Sequence, residues 1–463
     1  MRRTLLVLAS LPLVCACADD GEASSNTDPS VGDATSEVDS QTGETSEGTS
    51  STTDPSTSSG DGDGDPTTST TTSGDGDGDA SSSGDGDGDG PVKWDTLDPG
   101  DIDPGCMDAG GGELESMIWI ANSSQGTVSK IDTQTMTELG RYWVRPDGSG
   151  NPSRTSVNAV GDMVVGARSG GVTKILFDVE QCADTNGTPG IQTSTGANDI
   201  LDWDQEECRA WHTPMNYNSI RAVSWTNGTW NAQTCRYEGM EVWVSGDQGA
   251  MGTVDVMRLD GETGEILEQI EIPEMPMALN FGAYGAVVDE DNNLWLAQIY
   301  SKHLTRVDYD TLEYEHWIQP IHTYGIAYHE GFIYLCNREV ARFNPQSETF
   351  DMIEMIEDWQ GFFGHTGGCM VDGDGILWKG IDDALYGVDT EDLSIVDTIA
   401  MPEGMQWGVA VDFDGYVWTV PRNGSTAYRV DPGDHSIESI GGLVGAYTYS
   451  DMTGFMLSGV AAG

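Results

Sequence analysis

Short runs of alternating hydrophobic and polar residues, each broken by an Asp- and Gly-rich turn, recur along the second half of the chain. The clearest is WGVAVDFDGYVW at 407–418, and close relatives lie at 284–295, 324–334 and 367–378. Alternation with period two indicates a strand, and Asp-Gly tolerates the backbone angles of a tight turn. Each run therefore predicts a β-hairpin. Their starts are 40, 43 and 40 residues apart, which predicts a repeated unit.

Two further strand patterns follow the hairpins, so that each unit contains four strands. The third pattern ends in a basic, an apolar and an acidic residue, or a remnant of that order, at 129–132, 173–176, 257–260, 305–308, 341–344, 386–389 and 428–431. A looser hairpin lies at 155–166. Another begins at 221–225, is interrupted by an insertion and continues at 240–246. The fourth strands are clearest at 265–272 and 394–401. Four short strands repeated about every 40–45 residues are typical of an all-β propeller. Seven third strands predict seven blades.

The two ends of the repeat predict how the ring closes. The inner strand is the first strand of each unit and lies nearest the axis of the ring. The first unit begins at 117–122 without a preceding inner strand, whereas 449–457 is left over after the seventh unit. An unpaired sheet edge leaves backbone groups without partners. We therefore expect 449–457 to supply the missing inner strand and close a seven-bladed β-propeller. We also expect Trp418 to pack between blades.

The hairpin motif G-[VIA]-[AV]-x-D-x-[DN]-G-x-[VIL]-W and the strand motif V-x-[KR]-[IV]-D resemble those of streptogramin lyases and of the related NHL and YVTN-type repeat propellers. The resemblance covers about residues 115–457. It implies the fold more strongly than the function, because such propellers include lyases, lactonases and pure binding modules. Streptogramin lyases use a histidine, a carboxylate and Mg²⁺ in the channel to open a lactone. By that resemblance His322 and His365 would be general bases and Mg²⁺ the cofactor.

The N-terminus resembles a bacterial lipoprotein signal. Arg2 and Arg3 precede a short apolar run at 5–14, and Ala16 then precedes Cys17, the expected lipidation site. An ordinary secretory peptide cleaved nearby is the alternative. We expect residues 1–17 to be the signal and the lipidation site, and the protein to be exported to the outer membrane or cell surface, held to the membrane only by lipid.

Composition divides the rest of the chain. Residues 18–92 are rich in Ser, Thr, Gly and Asp and predict a disordered acidic tether, because they cannot bury enough apolar surface to fold. A connecting segment at 93–114 leads to the propeller at 115–463. The chain has 77 acidic and 20 basic residues, a net charge of −57, and about −40 remains outside the tether and signal. That charge argues against nucleic acid as a partner. We expect a monomer.

The mouth of the central channel is the predicted ligand site, because residues at the starts of the inner strands surround it. Two arginines, two histidines, aromatic residues and an aspartate stand at these positions: Arg154, Arg221, Tyr284, His322, Tyr324, His365, Trp407 and Asp451. Such a set suits a small polar molecule or an extracellular polymer. The leading hypothesis is a binding or recognition module. A metal-dependent lyase or lactonase and a purely structural surface protein are the alternatives.

An acidic insertion at 182–208 interrupts the second unit. Asp184, Asn186 and Thr188 fall at positions 1, 3 and 5 of a calcium loop, and Asp204 is among the acids that could complete the ligand shell. A loop held by a disulfide alone is the alternative reading. Ca²⁺ is therefore a second candidate cofactor.

Six cysteines outside the signal predict disulfides in an exported protein. Cys182 and Cys208 bracket the insertion, and Cys336 and Cys369 lie on strands of successive units. Cys106 and Cys235 pair by elimination.

The paired aspartates of the hairpin turns, such as Asp412 and Asp414, resemble catalytic carboxylates. We expect them instead to bind the backbone of their own turns.

Overall fold

The computed structural model describes residues 116–457, except 232, 234–235, 248–252, 274, 276–281, 355–366 and 450. The signal, the tether, Cys17, Cys106, Cys235 and His365 lie outside the described residues. The regular secondary structure of the described part is almost entirely antiparallel β-strand. No helix in it is both long and apolar enough to cross a membrane.

Twenty-nine strands, one short 3-10 helix (Val179–Gln181) and a helical segment at 455–457 are found in the described ranges. The first three strands are β1 (Met117–Asn122), β2 (Thr127–Asp132) and β3 (Thr137–Trp143). A four-stranded sheet follows, with β4 (Pro152–Val157), β5 (Met163–Ala167), β6 (Gly170–Ile175) and β7 (Arg209–Met215). The next contains β8 (Ser219–Trp225), β11 (Glu241–Asp247), β12 (Val254–Asp260) and β13 (Ile266–Ile272), and is interrupted by the small hairpin β9 (Thr229–Asn231) and β10 (Arg236–Glu238).

Three further four-stranded sheets follow in chain order. The first contains β14 (Gly285–Val288), β15 (Leu294–Ala297), β16 (His303–Val307) and β17 (Tyr314–Ile318). The second contains β18 (Gly325–His329), β19 (Phe332–Cys336), β20 (Glu339–Asn344) and β21 (Thr349–Glu354). The third contains β22 (Cys369–Val371), β23 (Ile376–Ile381), β24 (Ala384–Asp389) and β25 (Ile395–Ala400). The predicted hairpins, third strands and fourth strands are confirmed.

The last four strands join the first three. They are β26 (Gln406–Val411), β27 (Val417–Pro421), β28 (Gly424–Val430) and β29 (Ile437–Ala446). A pairing of Asn122 with Ala446 connects β29 to β1, so that β26–β29 and β1–β3 form one seven-stranded sheet. The sheets match the units of a β-propeller.

Apolar residues on both faces of the sheets hold neighbouring sheets together. Trp119, Trp225, Trp295 and Trp418 are among the fully buried side chains, and each belongs to a cluster drawn from more than one sheet. A four-stranded sheet with two apolar faces is stable only when both are covered, which stacking provides.

The glycine of the repeated hairpin permits the close approach of the inner strands. A Cβ atom on Gly325 would lie 2.9 Å from the backbone of Gly368, and one on Gly408 would lie 2.7 Å from Thr448. Real Cβ atoms do not tolerate such distances, so the motif requires glycine where inner strands converge.

The described residues after β29, 447–449 and 451–457, which we call the tail, run between β1 and β26. The backbone N–H of Tyr447 donates to Ala121, and that of Trp119 donates to Met452, at 3.1 and 2.9 Å. Val409 in β26 donates to the carbonyl of Tyr449 at 3.1 Å. These contacts involve Tyr447, Tyr449 and Met452, and no strand is assigned in the described part of the predicted 449–457. Residues 455–457 are helical, so the prediction of a strand to 457 is wrong in extent. Gly454, with φ of +82°, lies between the two parts.

The turn aspartates bind their own hairpins, and each also holds a tryptophan six residues later. One carboxylate oxygen of Asp412 accepts from the backbone N–H groups of Asp414 and Tyr416, and the other accepts from Trp418 Nε1 at 2.7 Å. Asp289 and Asp372 bind the indoles of the tryptophans in their own hairpins in the same way. The motif thus fixes the turn and the interblade tryptophan together.

Two predicted disulfides are present. Cys182–Cys208 closes the insertion, and Cys336–Cys369 links β19 to β22 in adjacent sheets. The insertion packs along the outer strand of the first unit, because Ser194 Oγ accepts from the backbone N–H of Arg141. This contact covers part of an exposed sheet edge.

Candidate functional site

The starts of the inner strands bring five of the predicted site residues together. Tyr284 and Tyr324 directly precede β14 and β18, and Trp407 is the second residue of β26, whereas Arg154 and Arg221 lie within β4 and β8. The tail adds Tyr447 and Tyr449. We call these seven residues the axial cluster. All seven are buried, with no more than 8% of any side chain exposed.

The phenol groups of the axial cluster form one hydrogen-bonded network. Tyr449 donates to the Tyr284 hydroxyl at 2.7 Å, and the hydroxyls of Tyr284 and Tyr447 lie 3.1 Å apart. Tyr324 bonds to the Tyr447 hydroxyl and accepts from the indole N–H of Trp407. Ring centroids of Tyr324 and Trp407 lie 4.7 Å apart in an edge-to-face arrangement. The network packs aromatic rings against one another where the inner strands converge.

Guanidinium groups lie on these rings. Arg154 Cζ is 3.2 Å from the ring centroid of Tyr449, and Arg221 Cζ is 4.8 Å from that of Tyr284. Arg154 also donates to the carbonyl of Tyr324 at 3.2 Å, and Arg221 donates to the Tyr284 hydroxyl at 3.3 Å. Cation–π contacts of this kind contribute about 0.5–2 kcal/mol each and offset part of the cost of burying the charge.

Two more arginines border the axial cluster. Arg168 Cζ lies 4.3 Å from the ring centroid of Tyr447, and Arg422 Cζ lies 4.8 Å from that of Trp407. Both are half-buried and stand in turns, Arg168 between β5 and β6 and Arg422 between β27 and β28. Sequence analysis missed both as site residues, and it also missed Tyr447 and Tyr449. The alternation of aromatic residues in AYTY at 446–449 is the signal that could have identified the tail residues.

The positive charge changes the acidity of one phenol. Burial by itself would raise the pKa of the Tyr284 hydroxyl, but the charges of Arg221 and Arg168 outweigh it and lower the pKa to about 8. Burial raises the pKa values of Tyr324 and Tyr449 well above their usual range. Tyr284 is therefore the member of the network that ionises first.

We expect absorbance at 295 nm to show one phenolate forming between about pH 7 and pH 9 in the folded protein. Tyr284→Phe should remove this step. Arg221→Gln should move it to higher pH, because a positive charge that stabilises the phenolate is lost. A wild-type titration without absorbance change below pH 9.5 would contradict the assignment.

Two other predicted site residues, Asp451 and His322, do not join the axial cluster. Asp451 accepts from Ser156 Oγ and from the backbone N–H of Val157, and burial raises its pKa to about 6. His322 is half-buried, and its Nδ1 bonds to the carbonyl of Ile299 at 2.7 Å. Burial lowers the His322 pKa below its usual value. His365 lies outside the described residues.

The insertion is organised by two buried glutamates. Glu207 accepts from the backbone N–H groups of Thr185, Asn186 and Gln192, and Glu206 accepts from that of Ser194. Among the predicted calcium ligands, Asp184 accepts from Gly190 N–H and Asn186 from Thr188 N–H.

No group of three or more His, Cys, Asp or Glu side chains with metal-binding geometry occurs in the described ranges. Calcium binding by Asp184, Asn186, Thr188 and Asp204 stays a prediction.

No protein-family model and no curated protein matches the chain. Similar solved structures include virginiamycin B lyase from Staphylococcus aureus, at 13% identity and a TM-score of 0.43 over 63% of this chain and 84% of that one. A streptogramin B lyase structure has 13% identity and a TM-score of 0.46, over 66% and 88% of the two chains. A protein from Lactobacillus plantarum has 13% identity and a TM-score of 0.48, over 72% and 97%. The chain is similar to β-propellers of the streptogramin lyase type.

Proposed function

We propose that the chain is an exported, lipid-anchored, seven-bladed β-propeller that acts as an extracytoplasmic ligand-binding or recognition module. Five four-stranded sheets, together with a seven-stranded sheet that divides into four and three strands, support seven units in the described part. The hydrogen bonds of the tail to β1 and β26 support closure of the ring by the C-terminal segment.

The axial cluster is the observation that favours binding over catalysis. Tyr324 and Trp407 are hydrogen-bonded to each other and only 2% and 3% exposed, so they fill the space between the inner strands. Elimination of a lactone needs a base and an acid that reach the substrate. The seven residues of the cluster include no histidine or carboxylate, whereas the half-buried guanidinium group of Arg168, on the ring of Tyr447 at the border, is a group that can hold and orient a polar ligand.

The test compares binding with turnover. The mature full-length protein is screened by calorimetry against lactones, cell-wall fragments and polysaccharides, with and without Mg²⁺ and Ca²⁺. We expect saturable binding of a polar ligand without chemical change. Lactone opening that is lost in His322→Ala but retained in His303→Ala would overturn the proposal. His303 is a suitable control because it lies in β16, outside the axial cluster.

Lipid anchoring is tested separately. A bacterial host that expresses the full chain should incorporate labelled palmitate into wild-type protein but not into Cys17→Ser. Cys15→Ser should still be labelled. Labelling that persists in Cys17→Ser would overturn the anchor without affecting the ligand-binding proposal.

A further inference from the structure

We propose that the interface between the sheet β18–β21 and the sheet β22–β25, which we call the joint, is a conformational device with two controls. Protonation of Lys379 favours opening of the joint, and the Cys336–Cys369 disulfide keeps it closed. The inference goes beyond the proposed function, because it concerns a different part of the ring from the axial cluster.

Apolar side chains from both sheets form the core of the joint. The cluster contains Cys336 and Val340 from the first sheet and Cys369 and Leu377 from the second, and all four are fully buried. Lys379 follows Leu377 by two residues on β23, and side chains two residues apart lie on the same face of a strand. Cys369 is also its cross-strand neighbour. Lys379 therefore points into the joint, beside the disulfide.

The amine of Lys379 lacks acceptors in the joint. The residue is completely buried, and its Nζ atom has no hydrogen-bond partner in the described part of the chain. A lysine ammonium group carries three N–H donors, and each of them requires an acceptor. Burying such a cation without acceptors is strongly unfavourable, because the cation loses its hydration. The closed joint therefore favours the neutral amine.

The electrostatic surroundings of Lys379 do not reverse this preference. Burial lowers the pKa of Lys379 to about 7, and the negative charge of Glu339 on β20 opposes the shift only in part. Glu339 is itself ion-paired with Arg338 at 2.8 Å. The other titratable side chains on the surrounding strands are Tyr334, which donates to a carbonyl in the β24–β25 turn, and Tyr386, the cross-strand neighbour of Lys379 on β24.

Lys379 makes opening of the joint easier as pH falls. In an open joint the amine is hydrated, and its pKa returns to about 10.4. Between about pH 10 and about pH 7 the open form therefore takes up a proton that the closed form does not. Below about pH 7 both forms are protonated and the effect levels off. This one amine should raise the equilibrium constant for opening about 50-fold between pH 9 and pH 7.

The disulfide opposes this opening. Cys336 ends β19 and Cys369 begins β22, so the bond links the two sheets covalently beside the buried amine. A dithiol reductant breaks the S–S bond by transferring two electrons and two protons. Two protein thiols form, and the reductant becomes a disulfide. The reduced joint therefore opens on protonation of Lys379, whereas the oxidised joint stays closed.

Opening of the joint would also disturb the axial cluster. β22 contacts β18 on one side and β26 on the other. Tyr324, which precedes β18, accepts a hydrogen bond from Trp407 in β26. Separation of β18 from β22 would therefore pull these two aromatic side chains apart.

The experiment measures hydrogen exchange of the β22 and β23 amides in the full-length mature protein at pH 6, 7 and 9. Lys379→Met replaces the amine by an uncharged side chain of similar length. It is introduced into wild type and into the double variant Cys336→Ser/Cys369→Ser. Comparison at each pH, with and without Lys379→Met, cancels the intrinsic pH dependence of exchange. Lys302→Met is the matched control, because it removes a half-buried lysine from the β15–β16 turn.

Without the disulfide, Lys379→Met should slow exchange about 50-fold more at pH 7 than at pH 9, with about a twofold further change at pH 6. Lys302→Met should produce no such pH-dependent change. With the disulfide intact, the β22 amides should stay as protected as those in the centre of β15 at all three pH values.

An effect of Lys379→Met that is constant from pH 6 to pH 9 would overturn the inference, as would equal exchange of β22 with and without the disulfide. If the double serine variant does not fold at pH 7, Lys379→Met must restore its folding there, and failure of this rescue would also overturn the inference. These results do not depend on any ligand, so the proposed function is tested separately by the binding screen.

Discussion

Tyr449→Ala is expected to lower the free energy of unfolding by about 4 kcal/mol, the cost of removing a large aromatic side chain from a packed interior. Tyr449 is 1% exposed, and its ring contacts Tyr324 and Tyr284 at centroid distances of 4.7 and 5.6 Å. The substitution also removes the ring beneath the Arg154 guanidinium. The buried cation then loses a cation–π contact that offsets part of its desolvation cost. Urea denaturation of wild type and variant measures the difference.

Two matched variants isolate the cause. Tyr449→Phe keeps the ring and loses only the hydroxyl that bonds to Tyr284, so we expect a loss of about 1 kcal/mol. Tyr416→Ala removes a half-buried tyrosine from a turn outside the axial cluster. A smaller loss for Tyr449→Ala than for Tyr416→Ala would show that the tail does not fill the axis.

Asp412→Ala is expected to lower the free energy of unfolding by about 3 kcal/mol or more. The side chain is fully buried, and its loss leaves two backbone N–H groups and the indole N–H of Trp418 without their acceptor. Each unsatisfied buried donor costs about 1–3 kcal/mol. Asp414→Ala is the control in the same turn, because Asp414 is exposed, and it should change stability by less than about 0.5 kcal/mol.

The pH dependence of this variant is a second readout. Burial raises the pKa of Asp412 to about 6, well above the usual pKa of an aspartate, so the folded state binds a proton before the unfolded state does. This group therefore adds stability as pH falls from about 7 to about 4. The difference between wild type and Asp412→Ala should be larger at pH 5 than at pH 7.5. A difference that shrinks on acidification would mean that the ionised carboxylate is the favoured form.

The hairpins could be predicted because their information is local. Alternation with period two, Asp-Gly turns and the basic-apolar-acidic strand ending are each contained within a dozen residues. The structure has strands at every predicted hairpin and at every predicted third and fourth strand. The turn aspartates have a second role, which is to accept a hydrogen bond from the indole of a tryptophan. The sequence contained a sign of this role in the constant interval of six residues, as between Asp412 and Trp418. The spacing was visible, but the hydrogen bond was not predicted.

The site was only partly predictable, because it depends on contacts between distant segments. Five axial residues follow from strand register. Arg168 and Arg422 lie in turns, and no periodicity predicts that these turns reach the ring of Tyr447. The sequence did not predict where the extended part of the tail ends. Gly454 adopts a positive φ, and residues 455–457 after it are helical.

The tail hydrogen-bonds to β1 in the first unit and to β26 in the last, and Tyr447 and Tyr449 complete the axial cluster. Hydrogen exchange of individual amides tests this arrangement most directly. Trp119, Val409 and Tyr447 donate the three backbone hydrogen bonds that join the described residues of the tail to β1 and β26. We expect these amides to exchange only through global unfolding, as slowly as amides in the centre of β15. Fast exchange of all three, with β15 still protected, would show that the tail is not part of the folded ring.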